Sequence, residues 1–277
     1  MSYLNNFQIN SEELIFDIKN LDKSLINALR RIIISETPTI AFDSNWGKEG
    51  YIVMEVNTSS LHNEFLGHRL SLIPIHYPYK LIDDYDTNNY EFIIDITNNT
   101  SKIIDVTTED IKIKDIINNK YLSKEECKKI FPPDNITKDY ILINKLKPNK
   151  SSVKENGECM KIKMLASKSI GKIHARYTPT CVSIFTNKRD DKKIKIKLNE
   201  LINNKNDELK KKNKNLLTEP EKLKMINSFM VCDADQCFHT NEYGEPNYFE
   251  FTIESDGRIP PHIIFMTSIT MLENKLN

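Results

Sequence analysis

An α+β fold is predicted by two features of the sequence. Both ends of the chain pair a strand with an amphipathic helix, and the long middle is built of β-branched stretches separated by Asn/Asp/Lys/Pro turns with no comparably strong helix. Ends that share one pattern are expected to pack together and leave the middle as an excursion.

The first strand is expected over residues 12–20, where Leu14, Phe16 and Ile18 alternate with Ile15, Asp17 and Lys19. Asn20 or Asp22 then caps a helix in which Leu21, Leu25, Leu29 and Ile32 or Ile33 recur at helical spacing. Pro38 closes it, because the residue before a proline is pushed out of the helical region, and Thr39–Phe42 leaves as a strand. Another strand is expected at Tyr51–Val56. Asn57-Thr-Ser-Ser60 reads as the cap of a helix over about 61–72, which carries Leu61, Phe65, Leu66, Arg69 and Leu70 and is stopped by Pro74. In the middle, strands are expected at 91–97, 102–107, 140–146 and 160–165. From Asn187 to Lys224 lysines are interleaved with Glu and Asp, the pattern of a solvated helical connection rather than an unbalanced phosphate-binding face. A closing strand at Tyr248–Glu254 meets a Ser255-Asp-Gly257 turn. After Pro260-Pro261 a last helix carries Ile263, Ile264, Met266, Ile269 and Leu272.

Composition removes several function classes. The 277 residues hold 39 Lys+Arg against 39 Asp+Glu, so a strongly basic nucleic-acid clamp is not expected. No apolar run approaches the roughly 20 residues of a bilayer span, and no secretory signal opens the sequence, which points to an intracellular protein. Five scattered cysteines suit reduced thiols rather than a disulfide framework. Abundant Lys, Ile and Asn beside scarce Gly and Ala suit an AT-rich genome.

Candidate chemistry is sparse. Cys232, Cys237 and His239 are zinc-compatible ligand types, but no second pair completes a four-ligand site, so ordinary semi-buried cysteines are expected. Glu64 and His68 share a helix face near His62 without the H-E-x-x-H spacing, so a hydrogen-bonded or interface pair is expected. Ser169-Ile-Gly-Lys-Ile-His174 lacks the second glycine of a phosphate loop, and no nucleophile motif is present. Asn27, Arg30, Arg31 and Arg69 instead interrupt otherwise apolar helices, and arginine favours bidentate interface contacts as readily as a solvated face.

Four blocks, in order, carry a resemblance. Asn27-Ala-Leu-Arg-Arg31 with Ser35-Glu-Thr-Pro-Thr-Ile-Ala-Phe42, and Leu61-His-Asn-Glu-Phe-Leu-Gly-His-Arg-Leu-Ser-Leu-Ile-Pro74, resemble two signature helices. Ser169-Ile-Gly-Lys-Ile-His-Ala-Arg-Tyr-Thr-Pro179 is similar to a third motif, with Tyr177 where Trp is usual. Phe249-Glu-Phe-Thr-Ile-Glu-Ser-Asp-Gly257 with Ile259-Pro260 resembles a closing strand and turn. Together they resemble the RNA polymerase third-largest subunit family: the eukaryotic polymerase II third subunit and its polymerase I/III counterpart, the archaeal D subunit and the bacterial alpha amino-terminal domain.

The resemblance implies a discontinuous dimerisation domain, an antiparallel sheet with amphipathic helices, contributed by residues 1–45 and 186–277 and interrupted by a β-rich inserted domain at 46–185. It implies a chain without catalysis of its own. Such a chain pairs with a smaller eleventh-subunit or L-like chain, separate or fused, and serves as the platform for the second-largest and then the largest subunit. A small tenth-subunit-like chain is a further implied partner, and DNA is met only through the holoenzyme. By motif position, Asn27, Arg30, Arg31, Glu64, Phe65, His68, Arg69, Pro74, Gly171, Lys172 and His174 are assigned to assembly. Leu21, Leu25, Leu29, Ile32, Ile264, Ile269 and Leu272 are assigned to the dimer core.

Two departures bear on this. Many eukaryotic relatives bind zinc through four close cysteines in the insert, and archaeal ones hold an iron–sulfur cluster there. Cys127 and Cys159 alone do not suffice, so no metal or other cofactor is expected. The last helix, from Pro261 to Asn277, is also short for the family, as in an abbreviated helix or the front of a longer product. Some large DNA viruses encode the two dimerising subunits as one chain, and the composition suits such a virus as well as an AT-rich protist. The location expected is the nucleus, or a viral factory or virion. The competing reading is a stand-alone nucleic-acid-binding or metal-dependent protein centred on 187–239.

Overall fold

The computed structural model describes residues 3–43, 51–148, 157–213 and 215–277. In chain order the elements are β1 (Leu4–Ile9), β2 (Glu13–Lys19), α1 (Lys23–Ser35), β3 (Pro38–Phe42), β4 (Ile52–Asn57), α2 (Asn63–Ser71), β5 (Tyr90–Thr97), β6 (Ile104–Thr107), β7 (Lys112–Asp115) and β8 (Lys120–Tyr121). They continue with α3 (Lys124–Ile130), β9 (Leu142–Leu146), β10 (Cys159–Ile170), β11 (Thr180–Asn187), α4 (Asp191–Lys211), α5 (Glu219–Cys232), β12 (Tyr248–Ser255) and α6 (Pro261–Leu276). The chain is thus α+β, and its strand pairs are antiparallel. It divides into two compact units, one of residues 1–30 with 182–254 and the other of residues 31–181 with 255–277.

The first unit is organised by a four-stranded sheet in the order β1-β2-β12-β11. The two ends of the sequence meet here, since β12 pairs with β2 from Tyr248 opposite Lys19 to Glu254 opposite Glu13. Alternation places Leu14, Phe16 and Ile18 on the face that carries Phe249, Phe251 and Ile253, and all six are buried. Phe16 stacks on Phe251 at 5.4 Å, and Phe185 meets Phe249 edge-on at 5.6 Å. Each buried aromatic side chain contributes about 2–3 kcal/mol of hydrophobic stabilisation. Asp22 starts α1, its Oδ1 accepting the Ser24 N–H at 2.6 Å. The lysine-rich stretch forms α4 and α5, whose small core joins Ile194, Phe229, Ala234 and Cys237. Its charges pair locally, as in Lys205 with Glu208 at 2.9 Å and Lys222 with Glu219 at 2.7 Å.

The second unit holds a larger sheet in the order β3-β10-β5-β7-β8, with β4 also paired to β10, and a separate β6-β9 ribbon. The twelve-residue β10 is its spine, with Met160, Ile162, Met164 and Ala166 buried along one face. Two helix features differ from the sequence expectation. The Asn57–Ser60 stretch does not cap α2, because Asn57 turns inward to accept from Ser59 and to donate to the Leu61 carbonyl and to Asn63. His62 takes the cap instead, its Nδ1 accepting the Glu64 N–H at 3.4 Å. A short helix, α3, also forms within the β-rich middle, nucleated by reciprocal bonds between Ser123 and Glu126.

Candidate assembly surface

On α1 the polar interruptions have separate fates. Arg30 donates from Nε and Nη2 to Asn27 Oδ1 at 3.1 and 3.0 Å, so this guanidinium is held by its own helix, while Arg31 is exposed. Asn27 and Arg30 belong to the first unit and the rest of the signature residues to the second. Among the helix hydrophobics assigned to a dimer core, Leu29, Ile32 and Ile264 are already buried within this chain. Leu21, which the sequence places in the helix but which precedes α1 and its Asp22 cap, is half-buried, as are Leu25, Ile269 and Leu272, and these four keep surface to offer.

On α2, Leu66, Gly67, Leu70 and Ser71 face inward. Phe65 faces out, at 67% exposed, with Glu64, His68 and Leu72 also exposed. Arg69 is tied down: Nε donates to the Ile143 carbonyl at 3.1 Å and Nη2 to the Leu142 carbonyl at 2.8 Å, which docks the helix on β9. Glu64 sits in the first turn, where a carboxylate favours the helix dipole, and Pro74 follows the helix half-buried.

The third block explains its glycine. A Cβ on Gly171 would stand 2.4 Å from the Ile34 carbonyl oxygen and 2.7 Å from Thr178 Oγ1, so only a residue without a side chain permits the chain to pass the end of α1 this closely. The neighbouring Lys172 N–H donates to the Ser35 carbonyl at 2.7 Å, while its side chain is exposed. His174 Nδ1 accepts from Arg176 N–H at 3.2 Å and Arg176 Nε at 3.0 Å. Desolvation pushes the imidazole below its ordinary range, and the Arg176 guanidinium and His68 push in the same direction against Asp43. The second and third blocks therefore lie within electrostatic reach of one another through His68 and His174.

Two arginines that sequence reasoning did not single out anchor this region. Arg176 is buried, and its Nη1 donates to the Phe42 carbonyl at 3.0 Å and to Asp43 Oδ1 at 3.1 Å. Arg258, also buried, donates from Nη1 to the Arg176 carbonyl at 3.1 Å and from Nη2 to the Thr178 carbonyl at 2.5 Å, and its Nε reaches Asp256 Oδ2 at 2.6 Å. Both stand inside or beside the quoted motifs, amid apolar neighbours that foretell burial. Tyr177, where the family favours Trp, is 3% exposed and shares a hydrogen bond with Ser167 Oγ at 2.7 Å.

The cysteines are scattered over the fold. Cys127 lies on α3, where burial pushes its thiol up and favours the protonated form, and Cys159 starts β10, its Sγ facing Thr58 Oγ1 at 3.6 Å. Cys237 sits in the α4–α5 core, Cys232 is exposed, and His239 turns to Asp190 at 3.6 Å. Among the described residues, no three His, Cys, Asp or Glu side chains are grouped to hold a metal ion. No helix among them is long and apolar enough to cross a membrane.

Residues 15–276 match the family described as the RNA polymerase Rpb3/Rpb11 dimerisation domain. The chain is 29% identical over 298 residues to the DNA-directed RNA polymerases I and III subunit rpac1 of Dictyostelium discoideum, covering 98% of this chain and 80% of that protein. It is 24% identical over 294 residues to the DNA-directed RNA polymerase II subunit rpb3 of the same organism, covering 97% and 90%. A 63-residue stretch, 23% of this chain, is 46% identical to the DNA-directed RNA polymerase subunit Rpo3 of Pyrobaculum calidifontis, 22% of which it covers. With signature blocks, antiparallel α+β architecture and a match spanning nearly all its length, this chain belongs to the RNA polymerase Rpb3/Rpb11 dimerisation-domain family, as a structural polymerase subunit of the third-largest class.

Proposed function

We propose that this chain is the non-catalytic assembly platform of a multisubunit DNA-directed RNA polymerase. It pairs with a smaller eleventh-subunit-like chain and docks the second-largest subunit, through which the largest is recruited. The dimerisation part comprises 1–45 and 186–277 and the insert 46–185, functional boundaries that differ from those of the compact units. The site of action is the nucleus, or a viral factory should the gene be viral.

The observation that carries this reading is the outward face of α2. Phe65 is a large aromatic residue displayed on a helix whose arginine is locked to β9, so it is an apolar anchor on a rigid support. The half-buried Leu25, Ile269 and Leu272 support the dimer role in the same way. Affinity purification of the tagged chain from its native source, with mass spectrometry of what co-purifies, tests it. Two large polymerase subunits and a small eleventh-subunit-like chain in near-equal amounts are expected. Recovery of no polymerase subunit refutes the reading. Phe65→Ser is expected to lower recovery of the second-largest subunit about tenfold or more, the loss of an anchor worth about 1.4 kcal/mol or more, without changing the thermal midpoint of the isolated chain.

A further inference from the structure

We propose that the second unit carries a strand-addition site, at which the free half of the β5 edge accepts an extended segment of another polypeptide of the same complex. The pairing is lopsided. On one side β10 runs along β5 as far as Thr97 opposite Cys159, whereas on the other β7 accompanies it only from Tyr90 opposite Asp115 to Ile93 opposite Lys112. Among the described residues, 94–97 therefore have a strand on one side only, because residues 108–110 turn out of line before β7 begins. A strand edge left in this state presents backbone N–H and C=O groups that pair readily with another chain.

A cavity of about 820 Å³ opens at this place. Both Asp95 and Ile96 line it, and since successive strand residues point to opposite faces, a cavity that reaches both reaches the edge between them. Its floor is apolar, with Ile111, Leu122 and Phe131, which suits a segment bearing apolar side chains at every second position. Thr108, 2% exposed, also lines it, and its hydroxyl has no hydrogen-bond partner among the described residues, an open position that an incoming backbone group would fill. Lys112, Lys124 and Lys128 with Asp95, Glu109, Asp110 and Glu125 give a lining of mixed charge that suits a polar backbone rather than a single-signed ligand.

The inference rests on the assembly reading only for the origin of the segment. The test is hydrogen exchange with mass spectrometry on the affinity-purified complex and on the same chain released from it. The subunits that co-purify judge the assembly reading, whereas exchange at 94–97 judges this site. Amides among 94–97 are expected to exchange about tenfold or more slowly in the complex, while those of 90–93, paired on both sides already, change little. Lysine-reactive cross-linking at Lys124 and Lys128 is expected to name one segment of another subunit. Equal exchange at 94–97 in the two states overturns the site, as does cross-linking only to a second copy of this chain.

Discussion

Each compact unit buries charge, and the two do so by different means. In the first, Asp17 is 1% exposed on the sheet face opposite Phe16, held by Lys188 at 2.8 Å, Tyr248 at 2.7 Å and Asn6 at 2.7 Å, with Glu250 sharing the lysine at 2.7 Å. All of these partners are side chains. In the second, Arg258 is satisfied mainly by the backbone carbonyls of residues 40, 176 and 178, with the Asp256 carboxylate, whereas Arg176 joins the Phe42 carbonyl to the side chains of Asp43 and His174. A side-chain cluster is tunable by substitution of any member. A guanidinium filled by carbonyls depends on the arginine alone, since the carbonyls remain whatever residues carry them. The third signature block meets the second kind through the Arg176 and Thr178 carbonyls, which Arg258 fills.

The largest expected effect separates these two designs. Arg258→Met leaves several buried carbonyls and Asp256 Oδ2 without the guanidinium, while Asp256 Oδ1 keeps the residue 258 N–H, and a loss of about 3–5 kcal/mol is expected in urea unfolding. A loss under about 1 kcal/mol would show that water replaces the guanidinium and would erase the contrast. Gly171→Ala comes next. Its clash is with the Ile34 backbone, which cannot yield as a side-chain tip does, and a cost of about 3 kcal/mol is expected from the shift of the denaturation midpoint.

Asp17→Asn is expected to cost about 2 kcal/mol at neutral pH, the range of a hydrogen-bonded charge. Burial alone raises the Asp17 carboxyl, but the bonds from Lys188, Tyr248 and Asn6 together outweigh it and hold the group below its ordinary 3.8. Its stabilisation is therefore complete above that value and is lost as pH falls through the lower folded value. Unfolding midpoints measured from about pH 6 to about pH 2 should lose part of their acid slope in the Asp17→Asn variant. An unchanged slope would assign acid sensitivity elsewhere.

The smallest effect concerns His174. Because its folded value lies below the unfolded 6.5, the unfolded chain binds the proton more readily, so stability declines modestly as pH drops through 6.5 and levels off below the folded value. Proton NMR titration of the ring tests this. A midpoint at or above 6.5 would show that neither desolvation nor Arg176 governs the imidazole.

Much of this architecture was legible because it is periodic. The alternation in β2 and β12, the Asp22 cap, the Pro38 boundary and the Pro261 start of α6 each follow from rules that act within a few residues. The cap of α2 was not legible, since Asn57 had several partners available and only the fold selects Ser59, Leu61 and Asn63. Nor was the true buried stripe of α1: Ile26 is fully buried while Leu25 is only half so, a rotation of the helix that its neighbours set. Arg176 and Arg258 lay in plain view within or beside the motifs, but their pairing joins positions 82 residues apart.

By itself the sequence determined the kinds of elements, the order of the signature blocks and thereby the polymerase family, because side-chain periodicity, caps and prolines act locally. Only the tertiary structure decided which side chains remain free for a partner. Arg30 is taken by Asn27 and Arg69 by β9, whereas Phe65 and Arg31 are left outside. Whether a residue is spent within the chain or offered beyond it depends on which carbonyls and carboxylates the fold brings within hydrogen-bond reach, and those come from parts of the chain that no local pattern connects.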